Sequence, residues 1–302
     1  MNKRRIIRSV SSLAVCVLIG LTLYFGESVS DSAVAGLRYA STAVIPALFS
    51  FSVLARLLSS SGFDESVYRA LPLHRLLGLP ECAAPVVLCG LVGGFPIGAI
   101  LTCDLYERGK LTRGEAARLC AISSNVSPAF LISVVGELFS SRVFGLVLWI
   151  SQSLLSLASG VLLRSLPDDC HRLTQRGTGD GKQSPVSLLC DAVSSSAMSC
   201  LYVTGYIVFF CTLSALLSEI FPILTGFFAL TMEFASGVKY AAATNSFAAC
   251  GFAVGFGGIS ALMQITDRTS ECGIPVIYTV VLKSLSSAVL AGVGYAFAAF
   301  FA

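Results

Sequence analysis

Long apolar segments without charge recur along the whole chain, separated by short stretches that are polar or contain glycine and proline. Seven such segments can be marked: Val10–Gly26, Cys82–Cys103, Leu119–Gly136, Val143–Leu163, Ala192–Ser218, Tyr240–Thr266 and Ser284–Ala302. Because a helix needs roughly 20 apolar residues to cross the hydrocarbon core, most of these segments are long enough to span a membrane. Strands of a membrane barrel would show short alternating segments instead. The pattern therefore predicts an all-α polytopic membrane protein.

Composition and charge support this class. Of the 302 residues, 55% are hydrophobic and 12% are charged, whereas soluble domains carry about twice that charged share. The basic residues behind the net charge of +3 are scattered among loops, so we predict no nucleic-acid partner. Lys3, Arg4, Arg5 and Arg8 precede the first segment, which predicts a cytoplasmic N-terminus. A basic start followed by Ala33-Val34-Ala35 also fits a cleaved signal peptide.

Residue patterns that would indicate catalysis or metal binding are missing from the sequence. Most of the eleven cysteines lie inside apolar segments and form no C-x-x-C pair, as expected for cysteines that pack as small hydrophobes. The two histidines, His74 and His171, lie in polar loops. No Walker A motif and no Gly-x-Ser-x-Gly motif occurs. We therefore predict no enzyme activity, no catalytic residue, no cofactor and no metal site.

The chain contains two halves with the same order of features. Three segments of the first half match segments of the second: 47–58 with 206–217, 94–99 with 233–238, and 120–130 with 250–260. Phe95 and Gly98 then correspond to Phe234 and Gly237. Each half contains a long helix, two broken segments and a terminal span, which predicts two structural repeats. We prefer inverted repeats, because re-entrant pieces and an odd number of crossings would force inversion.

These features divide a single membrane domain into four parts. The parts are an N-terminal transmembrane helix at 1–28, the first repeat at 29–164, a polar cytoplasmic linker at 165–187 and the second repeat at 188–302. The linker is assigned to the cytoplasm because basic residues slightly outnumber acidic ones within 164–185.

Helix-breaking residues are concentrated at four points, two in each repeat. In hydrocarbon an unpaired backbone group costs several kcal/mol, so broken helices and re-entrant hairpins are tolerated only beside protein or a wet cavity. Paired breaks therefore point to a substrate site, although the glycines of 251–258 could instead form a helix-packing face. The predicted substrate-binding residues come from these breaks: Gly94, Phe95, Pro96, Gly98, Asn125, Ser127, Pro128, Glu233, Gly237, Gly257, Gly258, Ser260 and Gln264.

Glu233 is the most isolated charge inside an apolar segment. Intramembrane carboxylates are rare and usually face a cavity or a partner, so Glu233 is predicted to bind a substrate or cation, or to titrate in proton coupling. Alternatively, it pairs with Lys239, Lys283 or Arg56 and only holds helices together. The mixed charges of 104–118 are typical of the solvated face of a short amphipathic loop; alternatively, Asp104, next to the break, caps a helix.

The blocks that contain the breaks resemble a known family. Residues 93–136 resemble the signature region of the YlbJ-type sporulation integral membrane proteins, and residues 35–58 and 233–264 resemble their first and second conserved blocks. That family belongs to the Gate or nucleoside-recognition group, with concentrative nucleoside transporters and the gate regions of bacterial ferrous-iron transporters. The resemblance implies an inverted-repeat transporter core with re-entrant hairpins and a role in spore cortex formation.

Two departures limit what this resemblance implies. GGFPIG at 93–98 contains no side-chain amide or carboxylate, so nucleoside specificity is not carried over. Met263 stands where the second block is expected to have histidine, which argues against a histidine-dependent step. If this hairpin contacts a ligand, it should do so through its backbone, leaving selectivity to Asn125, Ser127 and Glu233.

We therefore predict a secondary transporter or permease-like protein, multi-pass in the bacterial cell membrane and in contact with the lipid bilayer. A small polar solute would bind near the midplane between the broken helices. A coupling cation or proton, and a homo-oligomer, are left open. The alternative is a non-transporting membrane scaffold that recruits partners during spore envelope assembly. A pore would need a polar lining along a whole helix, and polar residues occur only at the breaks.

Overall fold

The computed structural model describes residues 2–60, 73–165 and 184–301, and the regular elements in these ranges are helices. Four helical segments in these ranges are long and apolar enough to cross a membrane: Arg142–Leu163, Pro185–Ile220, Phe247–Cys272, which is interrupted at Gly257, and Ile277–Phe301. A pair bent by 92°, Ser12–Tyr24 and Gly26–Val44, gives a fifth span if it is counted as one. The predicted all-α class with several candidate membrane spans is therefore confirmed for the described residues.

The N-terminal region consists of two helices joined by a sharp bend. Helix α1 covers Asn2–Tyr24 and helix α2 covers Gly26–Tyr39. Phe25 between them has φ −96° and ψ 34°, outside helical geometry, so the two helices do not merge. The predicted transmembrane helix at 1–28 corresponds to α1, which ends at Tyr24.

The first half continues with mostly short helices around two breaks. In chain order they are α3 (Ile45–Ser60), α4 (Leu73–Leu77), α5 (Ala84–Gly93), α6 (Ile97–Glu107), α7 (Arg113–Ser123), α8 (Gly136–Leu138) and α9 (Arg142–Leu163), with π-helical turns at Ala40–Val44 and Phe130–Val135. Helix α5 stops because Gly94 has a φ of +83° and Pro96 lacks an amide hydrogen. Both apolar segments with a break are thus divided into shorter helical pieces.

The second half also contains two breaks. Its helices are α10 (Pro185–Ile220), α11 (Thr225–Met232), α12 (Phe234–Ala243), α13 (Phe247–Phe256), α14 (Gly258–Cys272) and α15 (Ile277–Phe301). Glu233, in extended conformation, separates α11 from α12, and Gly257, with φ +78°, separates α13 from α14. That the halves are inverted structural repeats, and that the broken segments are re-entrant hairpins, stay predictions.

Glycines bring the backbones of α13 and α15 together. A Cβ atom placed on Gly251 or Gly255 would overlap backbone carbonyl oxygens of α15, so no larger residue fits at this contact. Gly257 and Gly258 have φ of +78° and +80° and form a left-handed turn instead. The helix-packing interpretation of 251–258 therefore holds for the first two glycines and not for the last two.

The end of the molecule that carries the turn between α6 and α7 is called the linker end below. Thr112 and Glu115 form a capping box there: the Glu115 amide donates to Thr112 Oγ1 at 3.1 Å, and the Thr112 amide donates to Glu115 Oε2 at 2.7 Å. Arg118 Nη1 lies 3.5 Å from the carbonyl oxygen of Arg164, where α9 ends. The predicted linker at 165–187 follows that point and lies almost wholly outside the described residues.

Candidate functional site

A cavity of about 360 Å³ lies where the breaks of the two halves meet. Residues of all four breaks line it, together with parts of α2, α3 and α10. Seven predicted site residues are brought together on its wall: Gly94, Phe95, Ser127, Glu233, Gly257, Ser260 and Gln264. The volume falls within the range of small-molecule sites, roughly 300 to 1,000 Å³.

The breaks of the first half contact each other and the last break of the chain. A Cβ atom placed on Gly94 would lie 3.3 Å from the Cβ of Ser127, so these two breaks are in contact. A Cβ atom on Gly257 would lie 2.8 Å from the ring of Phe95. Phe95 therefore carries the contact from the first half to the second.

The remaining contacts close a ring of four breaks. A Cβ atom on Gly258 would lie 2.9 Å from the backbone nitrogen of Phe234, which joins the two breaks of the second half. The Phe234 and Phe130 rings have centroids 4.7 Å apart, and Phe130 lies 6.1 Å from the Tyr39 ring. Because each break touches two others, the cavity wall is assembled from both halves.

Glu233 combines helix capping with a position on the cavity wall. Its Oε2 accepts a hydrogen bond from the Ser236 amide at 2.9 Å and so caps α12, whose first amides lack partners within the helix. Its side chain is buried, at 3% exposure. Among the described residues, no lysine or arginine nitrogen forms a salt bridge with its carboxylate. The sequence-based alternative of an ion pair with Lys239, Lys283 or Arg56 is therefore not realised in this part of the chain.

The two lysines considered as partners of Glu233 face aromatic rings instead. Lys239 Nζ lies 5.4 Å from the centroid of the Tyr39 ring, and Lys283 Nζ lies 4.7 Å from that of Phe95. These distances are typical of cation–π interactions. Both rings line the cavity, so each lysine contacts an aromatic side chain that forms part of the cavity wall.

Polar side chains on the wall support the breaks and each other. Ser127 Oγ accepts from the Phe130 amide at 3.3 Å, and Gln264 Nε2 donates to Ser260 Oγ at 3.2 Å. Within residues 2–60, 73–165 and 184–301, no three His, Cys, Asp or Glu side chains are grouped to hold a metal ion. The wall therefore offers hydroxyl, amide and carboxylate groups to a small polar molecule.

Six predicted site residues lie outside the cavity lining: Pro96, Gly98, Asn125, Pro128, Gly237 and Gly258. Asn125 uses both ends of its amide within the protein, since Nδ2 donates to the Ile122 carbonyl at 2.8 Å and Oδ1 accepts from Ser156 Oγ at 2.7 Å. The residue is 1% exposed. Its amide supports the break, and the structure does not bring it to the cavity.

The glycines among these six differ in how closely they pack. A Cβ atom on Gly98 would overlap the carbonyl oxygen of Ser123 at the end of α7. The nearest neighbours of a Cβ atom on Gly237 would be 3.1 Å away, at Ala229 and Ala253. Gly98 thus permits helix contact behind the break, while its counterpart in the second half is less tightly enclosed.

Sequence reasoning missed the aromatic and part of the acidic lining. Tyr39, Phe130 and Phe234 lie on the wall with Phe95, and Glu137 adds a second carboxylate. Tyr39 comes from the end of α2, which contains no break. Glu137 could have been found, because wall residues recur every three or four positions between 127 and 137, the spacing of one helical face.

Comparison with known proteins gives one informative relative. The chain is similar to the sporulation integral membrane protein YlbJ of Bacillus subtilis (strain 168), with 26% identity in an alignment that covers 76% of this chain and 68% of the relative. No protein-family model and no solved structure matches this chain significantly. The predicted resemblance to a sporulation integral membrane protein is confirmed at this level. The link to the Gate or nucleoside-recognition group stays a prediction.

Proposed function

We propose that this chain is a secondary transporter or permease-like membrane protein that acts in sporulation and binds a small polar solute between its broken helices. The observation that carries the proposal is the closed ring of four breaks, two from each half, around one cavity. Broken helices in corresponding halves are how many transporters build a central site. The name of the Bacillus relative supports the sporulation context.

The wall residues suggest how a solute would be held. Helix breaks leave amides and carbonyls without helical partners, and these can replace the hydration of a polar solute. Ser127, Ser260 and Gln264 add hydroxyl and amide groups, and the aromatic rings can cover apolar faces. Glu233 supplies a carboxylate whose burial is costly unless a ligand, a cation or a proton compensates it.

Ligand-dependent thermal stabilisation of the purified full chain tests this function. Nucleosides, amino sugars, metal ions and cell-wall precursors would be screened in mild detergent. We expect one class to raise the melting temperature, because a ligand that binds only the folded state stabilises it. Glu233→Gln should abolish that rise, since it removes the charge on the cavity wall while keeping a similar shape.

Glu219→Gln is the matched control, because Glu219 is an exposed carboxylate near the end of α10 and does not line the cavity. It should leave the ligand response unchanged. A wild-type response in Glu233→Gln would remove the assigned role of that residue. Absence of any response, together with capture of a defined envelope protein by the intact chain, would favour the scaffold alternative.

A further inference from the structure

Three charged residues join the two halves at the linker end, beyond the cavity. Asp104 Oδ2 lies 3.5 Å from Arg56 Nη1, and Asp104 Oδ1 lies 3.5 Å from Arg268 Nη2. Arg56 and Asp104 belong to α3 and α6 of the first half, and Arg268 belongs to α14 of the second. We call these residues the ionic cluster. The sequence predicted a solvated face for 104–118, with a helix cap at Asp104 as the alternative, whereas Asp104 lies inside α6 and bridges both halves.

On each of two helices, α3 and α14, one face runs from the cavity to the ionic cluster. On α3, Leu48 lines the cavity, and Ser52 and Arg56 follow at intervals of four residues. Residues four apart share a helix face, so these side chains form a stripe. On α14, Ser260 and Gln264 line the cavity and Arg268 follows four residues later. The stripe on α3 spans eight residues, or about 12 Å along the helix axis.

Helix α10 adds buried polar groups to the same region. Its Val203 lines the cavity, and the serines that precede it by one and two turns lie nearer the ionic cluster. Ser196 Oγ donates to Ser52 Oγ at 3.1 Å, and both residues are buried. Arg56 Nη2 lies 3.5 Å from Ser199 Oγ. Polar groups therefore connect the cavity with the cluster through helices that are otherwise apolar.

The cavity extends in the opposite direction towards the other end of the molecule. Its wall continues from Ser127 through Ser133 to Glu137, and the last two residues are exposed. Glu137 is close in sequence to Arg142, where α9 begins, and the 22 residues of α9 end at Leu163, at the linker end. The cavity wall therefore continues towards the end of the molecule that carries Glu137. Towards the linker end, the polar stripe stops at the ionic cluster.

We propose that Arg56, Asp104 and Arg268 form an ionic lock that closes the solute route at the linker end. The structure then represents the state that is closed at this end, and breaking the contacts of Asp104 lets the halves separate there. The inference rests on the proposed transport function, because it identifies the gate of that same route. Both distances of 3.5 Å exceed those of strong hydrogen bonds, and the three side chains are 15% to 34% exposed. Such pairs can exchange with water during a rigid-body movement.

Thiol labelling in lipid nanodiscs tests the lock, because both ends of the protein are then accessible to reagent. In a full-length variant whose eleven cysteines are replaced, one reporter is introduced at a time. Ser52→Cys reports on the closed stripe, and Ser133→Cys reports on the opposite end. With Asp104→Asn we expect labelling of Ser52→Cys to accelerate at least about tenfold, since two charge-assisted contacts lose their acceptor charge. Labelling of Ser133→Cys should slow, because opening one end closes the other.

Two matched variants separate the lock from a general charge effect. Glu271→Gln removes an exposed carboxylate whose one salt bridge within the described ranges is to Arg268 on the same helix, at 2.9 Å, and should change neither labelling rate. Asp104→Glu keeps the charge and should retain slow labelling of Ser52→Cys. Thermal unfolding of each variant shows whether it is folded before it is labelled.

Three outcomes would overturn the lock. Unchanged labelling of Ser52→Cys in Asp104→Asn would show that the cluster does not close the stripe. Faster labelling at both reporters would show a loosened structure instead of alternating closure. An equal response to Glu271→Gln would reduce the effect to local charge. Labelling needs no solute, so each of these results leaves the ligand response of the Glu233 experiment intact, and failure of that experiment leaves the labelling result standing.

Discussion

The breaks of the two halves present different groups to the same cavity. The breaks of the first half contribute Gly94, the Phe95 ring and the hydroxyl of Ser127, while the amide of Asn125 is used inside the protein. The second half contributes the carboxylate of Glu233 and the side chains of Ser260 and Gln264. Corresponding interruptions can therefore serve different purposes: the breaks of the first half contribute backbone, an aromatic ring and a hydroxyl, and the first break of the second half contributes the Glu233 carboxylate.

Helix α9 braces both breaks of the first half. Trp149 Nε1 donates to the Leu91 carbonyl at 3.1 Å, just before the first break. Gln152 contacts both backbone groups of Val126 in the second break, at 3.1 and 3.3 Å. Ser156, one turn further, holds Asn125. One polar stripe of α9 thus satisfies the backbone groups that the breaks release.

The largest expected effect is at the paired glycines behind the breaks. Gly98→Ala should lower the free energy of unfolding by about 3 kcal/mol, because its Cβ atom would overlap the Ser123 carbonyl oxygen. Gly237→Ala, its counterpart in the second half, should cost less than about 1 kcal/mol, since its nearest contacts would be 3.1 Å away. Thermal unfolding in mild detergent measures both. Equal losses would contradict this difference in packing between the two glycines.

Substitution of the two predicted amide side chains, Asn125 and Gln264, is expected to have opposite effects on stability and on the ligand response. Asn125→Ala should lower the free energy of unfolding by about 2 kcal/mol, because the buried Ile122 carbonyl and Ser156 hydroxyl lose their partner. The folded fraction should keep its ligand-induced shift. Gln264→Ala should do the reverse, with little loss of stability and a weaker shift in the same assay. The comparison fails if Asn125→Ala abolishes the ligand response of folded protein.

The smallest expected effect is at the brace from α9. Trp149→Phe keeps the apolar body of the side chain and removes the hydrogen bond to Leu91, so stability should fall by about 1 kcal/mol. The ligand response should be unchanged, because Trp149 does not line the cavity. A thermal unfolding curve that coincides with that of the unaltered protein would show that this brace does not stabilise the first break.

The apolar segments predicted the helical class because their length and lack of charge are local properties. The breaks were also recognisable, since Gly94, Pro96, Gly257 and Gly258 act on their own backbone. The bend at Phe25 was not, because neither glycine nor proline occupies that position. The π-helical turns at Ala40–Val44 and Phe130–Val135 were not predicted either.

The site was predictable only as far as the breaks themselves. Which side of a break a polar residue faces depends on the neighbouring helix, and α9 draws Asn125 away from the cavity. Lys283 was considered a partner of Glu233 by charge, yet it lies over Phe95. Tyr39 reaches the wall from a helix with no break in its own sequence. These arrangements follow from tertiary contacts between distant segments.

Helix α10 is longer than a bilayer requires. Its 36 residues correspond to about 54 Å along the axis, against a hydrocarbon core of roughly 30 Å. Even a tilt of about 40° leaves a vertical reach of about 41 Å, so at least one end of the helix enters the headgroup layer. Because α10 carries Ser196 and Val203 beside residues of both halves, its inclination is coupled to the solute route. Bilayer thickness is therefore expected to influence which end of this protein is open.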